Sequence, residues 1–175
     1  MNLSEGKTDT GLSCEFQENL NLLRETYFFT GFPLEALKVF AYLCKREVFK
    51  EGEYLFSAGD DDGQAFFVIS GKSRLYFGKE DQEYAVRDFD EGAFLGGLSL
   101  IGQMRRLFSL QAVTETTCLI LTREKFSRAM EQFQDQVPRI FKTLADRILQ
   151  WEERFLADFD TGCEECRKKI GVSII

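Results

Sequence analysis

The sequence predicts a mainly β domain, an antiparallel barrel or sandwich, with helices flanking it on both sides. Three observations lead there. From Arg46 onward, short apolar or alternating runs are separated by turns of Gly and Asp, the pattern of successive hairpins. Before Arg46 and after Arg123 the apolar residues recur instead at helical spacing. The length of 175 residues gives room for one domain with a sizeable core and a helical appendage, and hardly for two full domains.

Residues 1–12 are polar, contain Gly and show no periodicity, which reads as an N-terminal tail. The domain proper then runs over residues 13–159. Ser13 is a suitable cap for a short helix whose apolar positions are Phe16, Leu20 and Leu23. The segment FFTGFPLEALKVFAYLC breaks at Gly31 and restarts at Pro33, so that Leu34, Leu37, Phe40, Ala41 and Cys44 face a core from a second helix. Strands follow as REVFK, YLFSA, AFFVIS, SRLYFG and EYAVRDF, and later as TCLILT, a run apolar enough for burial on both faces. The turn from Gly59 to Gly63 encloses Asp60, Asp61 and Asp62. It lacks the further oxygen ligands and the closing Glu of an EF-hand calcium loop and reads as a solvated turn.

Between the last two strands lies FLGGLSLIGQMRRLFSLQAV, Phe94 to Val113. Its glycines permit a tight turn into a brief helix at Gly96, Gly97, Leu98 and Ser99, with the first N–H groups directed outward. Arg105 and Arg106 come next, and Leu107 to Ala112 alternate as a strand does. Guanidinium donors facing a helix N-terminus suit a phosphate. From these residues alone, an ordinary turn with two solvated arginines is the favoured reading.

After Arg123 helical spacing returns in REKFSRAMEQF, and Pro138 opens a longer helix to about Asp158. In it Val137, Phe141, Leu144, Ile148, Trp151 and Phe155 recur in alternating steps of four and three, a heptad seam on which two helices pack side by side. Ile140, Leu149 and Leu156 widen the apolar face. The expectation is a homodimer; the alternative is one broad stripe buried within a monomer. Residues 160–175 form a tail in which Cys163 and Cys166 stand as CxxC, half of a four-ligand zinc site or a pair of idle or redox-active thiols.

The net charge of −7 argues against long-range attraction to nucleic acid or an anionic membrane. No apolar run approaches a membrane span, and the N-terminus lacks the regions of a signal peptide, so a cytoplasmic protein is expected. Five cysteines, an odd number, do not form a disulfide framework. The chain has no histidine, which removes Ser/His and Cys/His catalytic pairs and imidazole metal ligation together. With no Walker-type loop or metal cluster either, an enzyme is the least supported class.

Helices first, then FKEGEYLFSAGD followed by AFFVISGKSRLYF, then a Gly-rich turn with Arg, then two helices: this order resembles the cyclic nucleotide-binding domain family, in particular the effector domain of catabolite activator-like proteins. The likeness extends from about Leu20 to about Phe159. It implies a double-stranded β-helix, or jelly roll, with the Phe94–Val113 stretch as phosphate-binding cassette on its inner face and a long C-terminal helix that dimerises. It further implies that Arg106 is the phosphate-binding arginine, with Ser109 the polar residue behind it. The implied ligand is a cyclic nucleotide, cyclic AMP or cyclic GMP, or another small anion.

Three positions depart from the family pattern. Where the family places its ribose-binding glutamate the chain has Gly97, and a charge-assisted hydrogen bond lost there costs roughly 1.5–3 kcal/mol, about 10- to 150-fold in affinity. Arg105 stands where proline is usual. Leu107 replaces a small residue and is expected to intrude on a bound phosphate. No helix-turn-helix or kinase segment follows the long helix, so the expected output is a partner protein rather than DNA. The readings are a regulatory domain signalling to that partner, or a degenerate domain serving as a dimerising scaffold.

Overall fold

The computed structural model describes residues 6–79 and 82–157. It divides into two compact units, one up to Phe133 and one from Gln134.

In the first unit helix α1 (Gly6–Glu25) precedes a 3₁₀ turn at Tyr27–Phe29 and helix α2 (Leu34–Leu43). Helix α1 begins before Ser13. In α2 the buried residues are Ala36, Leu37, Phe40 and Ala41, whereas Leu34 in the first turn is exposed and Cys44 caps the end, half-buried. Among the described residues eight strands follow: β1 (Lys45–Phe49), β2 (Tyr54–Phe56), β3 (Gln64–Ser70), β4 (Ser73–Lys79), β5 (Gln82–Phe89), β6 (Phe94–Leu95), β7 (Ser109–Ala112) and β8 (Thr116–Thr122). A short helix α3 (Leu98–Ile101) sits between β6 and β7, and helix α4 (Arg123–Met130) follows β8 directly, capped by the Thr122 hydroxyl.

The strands form two antiparallel sheets in the orders β1-β8-β3-β6 and β2-β7-β4-β5. This is the expected jelly-roll arrangement. Between the sheets lies a core of Phe49, Leu55, Phe66, Val68, Leu110, Ala112, Cys118 and Ile120. Strand β3 shows why this chain is so rich in Phe. Side chains alternate across a strand, so Phe66 and Val68 enter the intersheet core while Phe67 points to the opposite face. There Phe67 joins a second, aromatic core with Phe28, Phe29, Phe40, Phe94 and Phe126, whose ring centroids lie 4.5–6.1 Å apart. Strand β8, paired with both β1 and β3, is buried on both faces as its apolar run predicts.

Turn glycines close the hairpins. At Gly71 φ is +90°, and a Cβ there would meet the Glu115 carbonyl oxygen at 2.3 Å, so only glycine fits between β3 and β4.

The second unit consists, among the described residues, of a 3₁₀ turn at Gln134–Gln136 and helix α5 (Val137–Ala157).

Candidate functional site

Strand β6 ends at Leu95, and Gly96 turns the chain with φ +81°. The turn spends part of its own donor set. The N–H of Ser99 donates to the Gly96 carbonyl at 2.9 Å and that of Leu100 to the Gly97 carbonyl at 3.2 Å. Helix α3 is four residues long, with Leu98 exposed and Ser99 buried. The outward-directed N–H groups expected of Gly96 to Ser99 are therefore fewer than the sequence suggests.

Arg106 is the centre of the cassette. Its backbone N–H donates to the Asp60 carbonyl at 2.8 Å and its own carbonyl accepts from Gly59 N–H at 2.8 Å, lacing the cassette to the β2–β3 turn. The residue is only 8% exposed. Nη2 donates to Asp62 Oδ1 at 2.7 Å and to the Gln64 carbonyl, and Nε donates to Asp62 Oδ2 at 3.3 Å. The guanidinium also lies 4.2 Å from the centroid of the Phe56 ring. Gly96 leaves the space it needs, since a Cβ there would stand 2.6 Å from Nη1 and 2.7 Å from the Gln64 oxygen. A cation so far removed from water requires a partner, and here the chain supplies its own carboxylate.

The other cassette residues are arranged as follows. Ser109 is buried, and its hydroxyl accepts from the Ala58 N–H at 3.0 Å, a bond that holds the end of β2 to β7. Arg105 is exposed. Leu107, expected to intrude on a phosphate, is 75% exposed, so its side chain is not packed into the cassette. Gly97 has ordinary helical dihedrals, φ −54° and ψ −33°. A Cβ on it would stand 2.7 Å from Phe94 Cε1 and 3.2 Å from Phe28 Cδ2. Both rings belong to the aromatic core and are fixed by their neighbours. The position thus lacks a carboxylate and also lacks the room for one.

The Asp60 to Asp62 turn is exposed at Asp60 and Asp61, as a solvated turn is, and it is also tied into the protein. Each of its carboxylates has a partner within the protein. Asp60 Oδ2 accepts the Ser57 N–H at 3.0 Å, Asp61 pairs with Arg123, and Asp62 accepts the Gln64 N–H at 3.0 Å besides holding Arg106. Arg123, the first residue of α4, donates through Nε to the Ser99 carbonyl at 2.7 Å. Its guanidinium holds the Asp61 carboxyl below the usual carboxylate range. One loop therefore ties the cassette, α3 and the start of α4 together. Asp61, Asp62 and Arg123 have no local signature as a site, because their partners lie 44 and 62 positions away. The tandem carboxylates are the sole signal in the sequence that could have marked the loop.

On α5 the residues Val137, Phe141, Ile148 and Trp151 are exposed, Leu144 and Phe155 are half-buried, and Ile140 is buried. The rings of Trp151 and Phe155 stack at 5.6 Å. Cys163 and Cys166 lie outside the described residues.

Two antiparallel sheets with flanking helices are the fold of a class of regulatory domain, and the comparisons name the family. The sequence profile of the cyclic nucleotide-binding domain matches residues 46–133. The chain belongs to the cyclic nucleotide-binding domain family. Mouse cGMP-dependent protein kinase 2 is 23% identical over 122 residues, which covers 68% of this chain and 16% of the kinase. The chain thus spans a small part of that relative's length. Among solved structures, a cyclic nucleotide-binding-like protein from Brucella abortus is 28% identical with a TM-score of 0.60, covering 65% of this chain and 98% of that one. Thermus thermophilus catabolite activator protein is 26% identical with a TM-score of 0.62, covering 75% of this chain and 62% of that one. Among the described residues no helix is long and apolar enough to cross a membrane.

Proposed function

We propose that the chain is a regulatory module that signals to a partner protein from a homodimer built on α5, and that its cassette works without a cyclic nucleotide. The observation that carries this is Gly97. A ribose-binding carboxylate is absent there, and the Phe94 and Phe28 rings fill the space from which one would reach a ligand. The neutralisation of Arg106 by Asp62 supports the same reading, because a phosphate would have to compete with a carboxylate already bound. The exposed heptad seam of α5 supports the dimer, since the helix presents Phe141, Ile148 and Trp151 to water in the single chain. Cys14, Cys44 and Cys118 are free thiols, which suits a reducing cytoplasm.

Calorimetric titration of the full chain with cyclic AMP and cyclic GMP tests the proposal. No saturable heat is expected up to about 1 mM ligand, a limit near −4 kcal/mol of binding free energy. Saturable binding of either nucleotide that disappears in Arg106→Ala would overturn it and restore the family's ordinary ligand.

A further inference from the structure

The turn between β2 and β3 serves two arginines, and its partners alternate along the chain. The Asp60 and Gln64 carbonyls and the Asp62 carboxylate all accept from Arg106. The residues between them face the other way: the Asp61 carboxylate pairs with Arg123, and the Gly63 carbonyl accepts the Arg123 N–H at 2.6 Å. Asp61 and Asp62 are thus neighbours whose side chains serve different arginines, as consecutive side chains of an extended chain point apart.

The two arginines stand at different parts of the domain. Arg106 belongs to the cassette. Arg123 opens α4, and its Nε donates to the Ser99 carbonyl of α3 at 2.7 Å. In the same first turn of α4, Lys125 Nζ donates to the Leu43 carbonyl at the end of α2, at 2.8 Å. The Arg123 guanidinium also lies close over the turn, since a Cβ on Gly63 would stand 3.2 Å from its Cζ. Gly59 and Gly63 bound the acidic segment at φ +96° and +60°, and the three aspartates lie between these pivots. One planar peptide joins Asp61 to Asp62, so a rotation of the segment that withdraws one carboxylate moves the other with it.

We infer that this turn is a two-sided relay, in which Asp62 holds Arg106 and Asp61 holds Arg123 as one element, so that releasing either arginine loosens the other. It supplies the regulatory module with a route from the cassette to α4 built from hydrogen bonds rather than from the aromatic core. The linkage is independent of any nucleotide. Titration with cyclic AMP therefore tests the reading under the proposed function, and hydrogen exchange tests this one.

The experiment is amide hydrogen exchange of the full chain, read residue by residue. On the cassette side the reporters are the Gly59 and Arg106 N–H groups, bonded to the Arg106 and Asp60 carbonyls; on the other side they are the amides of α4. Asp61→Asn removes no bond of Arg106, yet it should speed exchange at Gly59 and Arg106 about 10-fold or more, the low end for a lost bond to a charged group. Asp62→Asn removes no bond of Arg123 and should speed exchange in α4 by a like factor, because coupling is reciprocal. Leu75→Ala, which truncates a side chain packed on the intersheet core, is the control, compared at equal stability in urea. Should Asp62→Asn not fold, Arg106→Lys keeps the charge, loses the fork and takes its place. Effects confined to α4 in Asp61→Asn and to the cassette in Asp62→Asn would overturn the inference, as would increases no larger than those in Leu75→Ala.

Discussion

Asp62 holds Arg106 through both carboxylate oxygens, at 2.7 Å to Nη2 and 3.3 Å to Nε. Their side chains are 18% and 7% exposed, so the pair is largely withdrawn from water. Removing one member of a buried pair leaves an uncompensated charge, which costs about 3–5 kcal/mol. Asp62→Asn is expected near the low end, because Asp62 keeps some contact with solvent. Urea unfolding measures the loss. In a double-mutant cycle with Arg106→Met the second substitution should recover part of it; strictly additive losses would show that the pair is not coupled.

The two glycines of the turn respond differently. Gly96→Ala forces a side chain to φ +81° at about 1–3 kcal/mol and sets its Cβ against the Gln64 carbonyl, which cannot move aside. Gly97→Glu, which supplies the carboxylate that the family resemblance implies at this position, meets the Phe94 and Phe28 rings and should destabilise by about 1–3 kcal/mol through overpacking. It should not confer cyclic AMP binding. A Gly97→Glu protein of undiminished stability that binds the nucleotide would show that the rings yield easily.

Ser73 is fully buried on β4, and its hydroxyl has no hydrogen-bond partner. Its register neighbours are Phe89 and Ala112, both on the core side. Ser73→Ala is expected to stabilise the fold by about 1 kcal/mol, the low end of the cost of an unsatisfied buried polar group. A lower urea midpoint with an unchanged slope would refute this.

The seam of α5 should hold two chains together. Sedimentation equilibrium is expected to show a concentration-dependent dimer, and Phe141→Glu or Ile148→Glu to shift it toward monomer. Each substitution removes an apolar side chain worth about 1.5–3 kcal/mol when buried. A monomer at every concentration would end the dimer proposal.

Acid should weaken the fold through two carboxylates. The bond from Arg123 holds Asp61 below its ordinary range, and the bond from Arg74 does the same for Asp88, at 2.6 Å. With the folded value depressed, the contribution is complete above the unfolded value of about 3.9 and is lost as pH falls through the folded one. Between the two the unfolded chain binds more protons, so stability rises with pH. Unfolding measured from pH 7 down to about pH 2 should show this slope, flattened in Asp61→Asn and Asp88→Asn.

Much of the architecture was legible because it is written locally. Period-2 runs, turn glycines and the helical stripes marked all the longer strands and the helices α2, α4 and α5, since each depends on residues within one or two turns of each other. The start of α1 at Gly6 is not marked in the sequence, because the polar segment before Ser13 has no apolar period to reveal it. Spacing alone assigns Leu34 to the core, but it lies in the first turn of α2, where it stays exposed.

Residue chemistry along the chain therefore determined the fold class and the absence of a carboxylate at position 97. Tertiary structure alone decided what Arg106 is bonded to, that the exposed Asp60 to Asp62 turn is also a hydrogen-bonding hub, and that aromatic rings occupy the space beside Gly97. The physical reason is distance along the chain. Periodicity and turn chemistry act between neighbours, whereas the Asp62–Arg106 and Asp61–Arg123 pairs join residues 44 and 62 positions apart, which only the packing of the two sheets brings within hydrogen-bonding reach.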